Sequence, residues 1–267
     1  SISEEINDKG GIGKSFNNIG ILNAEKGDYD KALNYYMKSL EICRKINDKL
    51  GAGYIFNSIG VVHHNKGDYK KALDYHKRSF IIKEELGDKL GIGYSLFNIG
   101  YVYADKGNYG KALEYYEKSF EIREEIGDKF GMGSSLNNIG NVYVDKCDYY
   151  KALEYLEKSL NIRKKIGVGI DELFETIISL NLTYKHLGKD YDEKEIYRFI
   201  QEIENIEYEL NLRLYQLLEN KSFLETAWKQ IQNIADSMDE EIKEKFLNYP
   251  FQKQIIEEYN KVFNPPS

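Results

Sequence analysis

Few residues of this chain have the types and spacing that catalysis needs. The clearest candidate is GGIGKS at residues 10–15, which is similar to part of a phosphate-binding loop. Such a loop requires a glycine five residues before its last glycine. That position is Asp8, whose carboxylate would repel a phosphate. The equivalent segments further along read GAGYI, GIGYS and GMGSS, so Lys14 and Ser15 are a local variation. We therefore predict no nucleotide site.

The remaining reactive side chains also predict neither a metal site nor an active site. The histidines and cysteines have no metal-ligand or CxxC spacing. They are His63, His64, His76, His186, Cys43 and Cys147. The many carboxylates each have a helix-surface or capping explanation, so no acid–base pair stands out. We predict that the chain is not an enzyme and uses no cofactor or metal.

Composition narrows the class of partner. A formal net charge of −7 and a pI near 5.4 argue against nucleic acid, because such surfaces need clustered Lys and Arg. No apolar run approaches the roughly 18 residues that span a bilayer, so we predict no membrane association. Two cysteines without a redox motif favour a reducing compartment, and hence a cytoplasmic location. The partner should therefore be a protein or peptide, and the sequence predicts no oligomeric state.

The strongest feature of the sequence is a repeat of 40 residues. Gly20, Gly60, Gly100 and Gly140 each end the phrase Asn-Ile-Gly or Ser-Ile-Gly, and the flanking residues recur at the same spacing. Self-similarity at a fixed period indicates a stacked array in which each unit mainly contacts its neighbours. Such arrays present extended surfaces, which favours binding over catalysis.

Each repeat reads as two helices. In the third copy Leu96, Ile99 and Tyr103 follow helical spacing, and a second apolar stripe starts at Ala112. Between the stripes lies Gly107, a residue suited to the left-handed position after a helix. The next residue is an Asn or Asp in every copy, a good N-cap for the following helix. The sequence therefore predicts an antiparallel helix hairpin that is repeated with the same turn and capping residues.

These positions resemble the signature of the tetratricopeptide repeat. In the third copy the matching residues are Leu96, Ile99-Gly100, Tyr103, Gly107-x-Tyr109, Ala112 and Tyr116. The 40-residue period is similar to the longer-helix variant of Pins-type adaptors and bacterial regulators, and the resemblance covers roughly residues 1–205. It implies an all-α, right-handed superhelical array whose first helices line a concave groove for peptides or proteins.

The repeat also predicts an organisation along the chain. Because SISEEINDKGGIG matches residues 41–53 shifted by 40, residues 1–10 read as the second-helix remnant of a truncated repeat, as in an excised fragment. Four tandem units follow at 11–170, a degenerate fifth hairpin at 171–203, and a weak sixth hairpin with capping helices at 204–267. Val168 occupies the usual cap position, so we expect Asp171 to cap the fifth hairpin instead.

The family pattern implies which side chains face the groove. They include a recurring asparagine and a group of aromatic residues. The candidates are Asn17, Tyr54, Asn57, His64, Tyr94, Phe97, Tyr101, Asn137 and Asn141. A ladder of amides can pair with a peptide backbone of any sequence, while aromatic rings supply apolar contact. The alternative is that the asparagines bridge neighbouring helices or simply descend from one duplicated unit.

We expect a scaffold that binds protein or peptide through its concave face. Only Lys14 places a basic group there, so a clamp for a terminal carboxylate is not expected, and an internal segment or amphipathic helix fits better. The alternative is a regulatory or sensor arm of a larger signalling protein whose effector domain lies N-terminal to residue 1.

Overall fold

The protein is described by a computed structural model, which covers the backbone of residues 2–265 and the side chains of residues 9–170 and 172–265. The described residues form fourteen helices and no strand. In chain order these are α1 (Ile2–Glu25), α2 (Tyr29–Lys45), α3 (Lys49–Asn65), α4 (Tyr69–Leu86), α5 (Lys89–Asp105), α6 (Tyr109–Glu125), α7 (Lys129–Asp145), α8 (Tyr149–Ile166), α9 (Ile170–His186), α10 (Glu193–Glu202), α11 (Tyr208–Leu218), α12 (Lys221–Asp236), α13 (Glu240–Leu247) and α14 (Pro250–Phe263). The predicted all-α array of helix pairs is confirmed.

The chain divides into two compact units, Ser1–Val102 and Tyr103–Ser267, which we call unit 1 and unit 2. In unit 1, α1 packs on α2, α2 on α3, and α3 on α4. In unit 2, α6 packs on α7, α7 on α8, and α8 on α9. Each unit is thus built from helices that contact the next helix in the chain, as the repeat predicts.

The turns between helices contain the left-handed glycine and the polar N-cap residue that the repeat predicts. Gly87 has φ +67°, and the N–H groups of Gly87 and Asp88 donate to the carbonyls of Glu84 and Lys83 at 3.1 and 2.9 Å. This pattern is a Schellman end, which needs the left-handed residue that glycine supplies most easily. Asp88 then caps α5 by accepting from Gly91 N at 3.0 Å. The residue types predicted at Gly107 and the next position, a left-handed glycine and a polar N-cap, therefore also end α4 and begin α5.

The glycines that mark the repeat lie where two helices meet most closely. A Cβ atom added to Gly60 would stand 2.6 Å from the His76 ring, and one added to Gly20 would stand 2.6 Å from the Tyr36 ring. Any side chain at these positions would clash with the second helix of the pair. The repeated glycine is therefore explained by packing inside each hairpin.

Both ends of the array depart from the simple repeat. No turn forms at Asn7, since α1 continues without interruption from Ile2. Asn47, at the equivalent position, takes φ +56° where α2 gives way to α3. The predicted cap at Asp171 is wrong, because α9 begins at Ile170 with Gly169 as N-cap, and the Asp171 side chain lies outside the described residues.

The C-terminal part of unit 2 is less regular. α10 contains only ten residues, and α9 makes more extensive contact with α11 than with α10. α12 packs against α14, which begins with Pro250 in its first turn, as predicted. Leu224, Ile231 and Phe246 are buried together here. This separate apolar cluster shows that the tail helices have a core of their own.

Candidate functional site

The predicted groove positions of unit 1 form a face of exposed and half-buried apolar side chains. We call this surface the first-helix face, and it consists of Ile21, Tyr54, Val61, Tyr94, Phe97 and Tyr101. The exposed fraction is 47% for Tyr54, 39% for Val61 and 43% for Tyr94. Large apolar side chains with this much exposure on one face are typical of binding surfaces. All six residues lie on the first helices α1, α3 and α5.

Tyr54 is held in place by a buried ion pair. Its hydroxyl donates to Asp88 Oδ2 at 3.2 Å, and Lys83 Nζ lies 2.8 Å from the centre of its ring. Lys83 is fully buried and pairs with Asp88 Oδ2 at 2.9 Å. Burial and the nearby Asp88 carboxylate both raise the pKa of Tyr54. The Tyr54 hydroxyl therefore stays protonated, and these contacts fix the ring in the absence of a ligand.

His64 connects three helices at the edge of this face. Its ring lies 5.1 Å from the ring of Tyr69 on α4 and 4.9 Å from that of Tyr101 on α5. Ring stacking of this kind adds to apolar burial. His64 is half-buried, so it shapes the first-helix face and orients Tyr101.

Asn57 acts as a bridge between helices. Its Oδ1 accepts from Asn98 Nδ2 at 2.9 Å and lies 2.9 Å from His76 Nδ1. Burial lowers the pKa of His76 to about 3, so the imidazole is neutral and donates from Nδ1. Both acceptor sites of the amide oxygen are thus used inside the protein. At the equivalent position of α1, Asn17 Oδ1 is buried without a hydrogen-bond partner among the described residues.

The two asparagines predicted in unit 2 are not accessible to a ligand. Asn137 is fully buried, and its Oδ1 accepts from Thr176 Oγ1 on α9 at 2.8 Å. Asn141 is also buried, and its Nδ2 donates to Glu175 Oε1 at 2.8 Å. Their assignment to an open groove was wrong because α9 covers them. For Asn57, Asn137 and Asn141, bridging between helices accounts for the amide.

Unit 2 instead contains a cavity of about 480 Å³ that the sequence did not predict. Its wall includes Asp145 and Arg213, which form an ion pair of 2.9 Å, and Phe251, 5.8 Å from the Arg213 guanidinium. Burial raises the pKa of Asp145 to about 6, with Arg213 opposing the shift. Burial likewise raises the pKa of Tyr109 to about 12. Arg213 and Phe251 come from helices outside the 40-residue pattern, so no repeat signal could locate them.

Among the described residues, no group of three or more His, Cys, Asp or Glu side chains could hold a metal ion. Nor is any helix within residues 2–265 long and apolar enough to cross a membrane.

Sequence comparison identifies the family. The sequence model of the tetratricopeptide repeat matches residues 11–85 and 91–165, which is more than half of the chain. The chain belongs to the tetratricopeptide repeat family. No curated protein matches it. The signature residues Gly100, Tyr103 and Ala112 thus lie within a matched segment.

Solved structures share this fold at low sequence identity. The apo form of RapI has a TM-score of 0.68 and 16% identity, over 94% of this chain and 98% of that one. The Rap conjugation gene regulator of plasmid pLS20, solved with the Phr* peptide, has a TM-score of 0.64 and 16% identity, over 93% of this chain and 74% of that one. A STAND protein of Pyrococcus horikoshii with a tetratricopeptide repeat sensor has a TM-score of 0.60 and 21% identity. The match covers 96% of this chain but 37% of the STAND protein. At such identities the likeness concerns the fold alone.

Proposed function

We propose that this protein is a binding scaffold that holds a peptide or protein segment on the first-helix face of unit 1 and carries out no reaction itself. The observation that supports this most is the exposure of Tyr54, Val61 and Tyr94 on neighbouring first helices. An isolated exposed apolar residue needs no explanation, but a contiguous set of them rimmed by polar residues marks an interaction surface.

The chemistry of the face indicates what it binds. Its six side chains are all aliphatic or aromatic, so a partner that packs on them would gain apolar contact. We expect a segment with large apolar side chains, and the preformed helices leave most of the ordering cost to the ligand.

The Rap regulator of plasmid pLS20 was solved with the Phr* peptide, so a chain of this fold can hold a peptide. The likeness to a STAND protein with a repeat sensor favours a second candidate. In that case the same face would serve as the sensor of a larger signalling protein. Both candidates require binding at the first-helix face, and they differ in whether binding changes the activity of an attached effector domain.

The test begins with selection of binding peptides from a random display library against the purified chain. Selected peptides are then titrated against two matched variants, Val61→Glu and Ile81→Glu. Val61 lies on the first-helix face, whereas Ile81 lies on the second helix α4 and is 52% exposed. Because a residue at the centre of an interface contributes about 2 kcal/mol or more, Val61→Glu should weaken binding about 30-fold. Ile81→Glu should leave it unchanged.

The proposal fails if selection yields no peptide above background, or if both variants bind equally well. It also fails if Ile81→Glu causes the larger loss. Melting curves for the two variants should match that of the parent chain, since both side chains are already partly exposed.

A further inference from the structure

The unit 2 cavity contains a buried ion pair whose hydrogen-bonding capacity is only partly used by the protein. Asp145 is the last residue of α7, and Arg213 lies on α11, 68 residues further along the chain. Arg213 Nη2 donates to Asp145 Oδ1 at 2.9 Å, and both residues lie in the wall of the cavity. Arg213 is only 5% exposed. The cavity, with a volume of about 480 Å³, therefore presents two opposite charges side by side.

Both members of the pair can still bind a ligand. Within the described part of the chain, Arg213 donates to Asp145 and, from Nη1, to Ser179 Oγ at 3.5 Å. A guanidinium group carries five N–H donors, so three remain. Asp145 Oδ2 accepts no hydrogen bond from the described residues. The Asp105 carboxylate repels that of Asp145, and a ligand cation beside Oδ2 would relieve this repulsion.

The other two ionised side chains of the cavity wall, Lys185 and Glu219, are paired with each other. Lys185 Nζ donates to Glu219 Oε1 at 2.8 Å and to the carbonyls of Gln216 and Leu217, each at 2.9 Å. These three bonds use all the donors of the ammonium group. Lys185 therefore holds α9 against the end of α11 and has no donor left for a ligand. Recognition of charge in the cavity falls to the buried ion pair.

Aromatic side chains also line the cavity. Phe251 on α14 lies 5.8 Å from the Arg213 guanidinium. The Tyr149 ring stacks on the His186 ring, with ring centres 4.3 Å apart. Burial lowers the pKa of His186, so this imidazole is neutral at pH 7. The Tyr109 hydroxyl has no hydrogen-bond partner among the described residues and can donate to a ligand. The wall thus offers apolar ring faces and a hydroxyl donor in addition to the ion pair.

The charges of the wall select a ligand that carries both signs. A simple amine would leave the remaining Arg213 donors unpaired in a buried site, which is costly, and a simple carboxylate would be repelled by Asp145. The ammonium group of an α-amino acid can donate to Asp145 Oδ2 while its carboxylate accepts from Arg213. The cavity volume lies within the range of roughly 300–1,000 Å³ that is typical of small-molecule pockets.

We propose that the unit 2 cavity binds a free α-amino acid with an aromatic side chain. Asp145 and Arg213 hold its two charged groups, and its ring packs against Phe251 and Tyr149. This site shares no residue with the first-helix face, so its test is independent of the peptide site proposed above.

The test uses the full chain and L-phenylalanine as the probe. Two analogues each lack one charged group: 2-phenylethylamine has no carboxylate, and 3-phenylpropionate has no ammonium group. Ligand-observed NMR titrations should show saturable binding of L-phenylalanine. Each analogue should bind at least about 10-fold more weakly, because one charge-assisted contact is lost.

Two variants on α7 then locate the site. Asp145→Asn should reduce the affinity for L-phenylalanine to about that for 3-phenylpropionate, and should not weaken the binding of 3-phenylpropionate. Asp128→Asn is the matched control, since Asp128 lies at the other end of α7, 3.9 Å from the buried Arg123 and outside the cavity wall. It should keep the preference for L-phenylalanine.

Three results would overturn the proposal. The first is an absence of saturable L-phenylalanine binding up to about 10 mM. The second is equally tight binding of either analogue, because the wall would then recognise one charge only. The third is an equal loss of preference in Asp145→Asn and Asp128→Asn. If Asp145→Asn proves unstable, the three ligands still decide the question on the unaltered protein.

Discussion

The buried pair of Lys83 and Asp88 leads to a sharp prediction about stability. Lys83 Nζ is buried and lies 2.9 Å from Asp88 Oδ2. Asp88 Oδ1 also caps α5 by accepting from Gly91 N at 3.0 Å. The substitution Asp88→Asn keeps an oxygen for the cap and removes only the charge. It therefore leaves the buried ammonium group without the carboxylate that it is hydrogen-bonded to, and only the weaker attraction of the Asp48 carboxylate remains.

The expected loss can be bounded from the structure. Removal of one partner from a fully buried ion pair costs about 3–5 kcal/mol. Asp88 is partly exposed, and the Tyr54 ring still faces Lys83 Nζ, which offsets some of the cost. We therefore expect Asp88→Asn to lower the free energy of unfolding by about 2–3 kcal/mol. Guanidinium unfolding at pH 7, with unchanged m-value, measures this directly.

The chain provides a matched control. Asp48 caps α3 in the same way, with Gly51 N at 2.8 Å, but the position of Lys83 is taken there by Cys43. The Asp48 carboxylate attracts Lys83 without accepting a hydrogen bond from it, so Asp48→Asn should lower the free energy of unfolding by less than about 1 kcal/mol, clearly less than Asp88→Asn. Equal effects of the two substitutions would refute the role given to the ion pair. Lys83→Met should be far milder than Asp88→Asn, because it removes the buried charge itself.

The same pair sets a pH dependence. Burial alone would raise the pKa of the Asp88 carboxyl, but hydrogen bonds from Lys83 and Gly91 outweigh it and hold the pKa below its usual value. A carboxyl with a depressed folded-state pKa stabilises the protein above its unfolded pKa, and this is lost as pH falls through the folded value. The difference in free energy of unfolding between wild type and Asp88→Asn should thus become smaller below about pH 4.

Three further predictions concern backbone and charge. Gly60→Ala should destabilise the protein by about 1–3 kcal/mol, since the new Cβ would stand 2.6 Å from the His76 ring. Gly110→Ala should stabilise it by about 0.5 kcal/mol, because a Cβ there meets open space. Thermal melts of both variants measure these changes. Cys147 has φ +59°, so Cys147→Gly should raise the unfolding free energy by about 1 kcal/mol, and a lower value would contradict the assigned turn. Burial raises the pKa of Asp145 to about 6, so the free energy of unfolding of wild type minus that of Asp145→Asn should fall as pH rises from 4 through 6. A difference that rises over this range would contradict the burial of this carboxyl.

The helix pairs were predictable because the same 40-residue pattern occurs four times in the sequence. Gly87 and Asp88 mark a turn and a cap by their residue types alone, and the 40-residue period fixes which helix each residue belongs to. His63 follows the repeat as well, since its ring lies 5.4 Å from Tyr75, as Tyr103 lies 5.6 Å from Tyr115.

What the repeat could not indicate is how each copy differs in its surroundings. Asn57 and Asn137 share a position, yet the first is half-buried and the second is sealed under α9. A period describes the contacts that recur, whereas accessibility depends on the helices that follow. Arg213 could not be linked to Asp145, 68 residues away, because α11 lies outside the repeat.

Photo-crosslinking from the first-helix face tests the central claim most directly. A benzophenone amino acid replaces Tyr94 on α5 in one variant and Met37 on the second helix α2 in another, and both parent side chains are exposed. A selected peptide should crosslink from position 94, with competition by unlabelled peptide, and should not crosslink from position 37. Equal crosslinking from both positions, or crosslinking from position 37 alone, would contradict binding at this face.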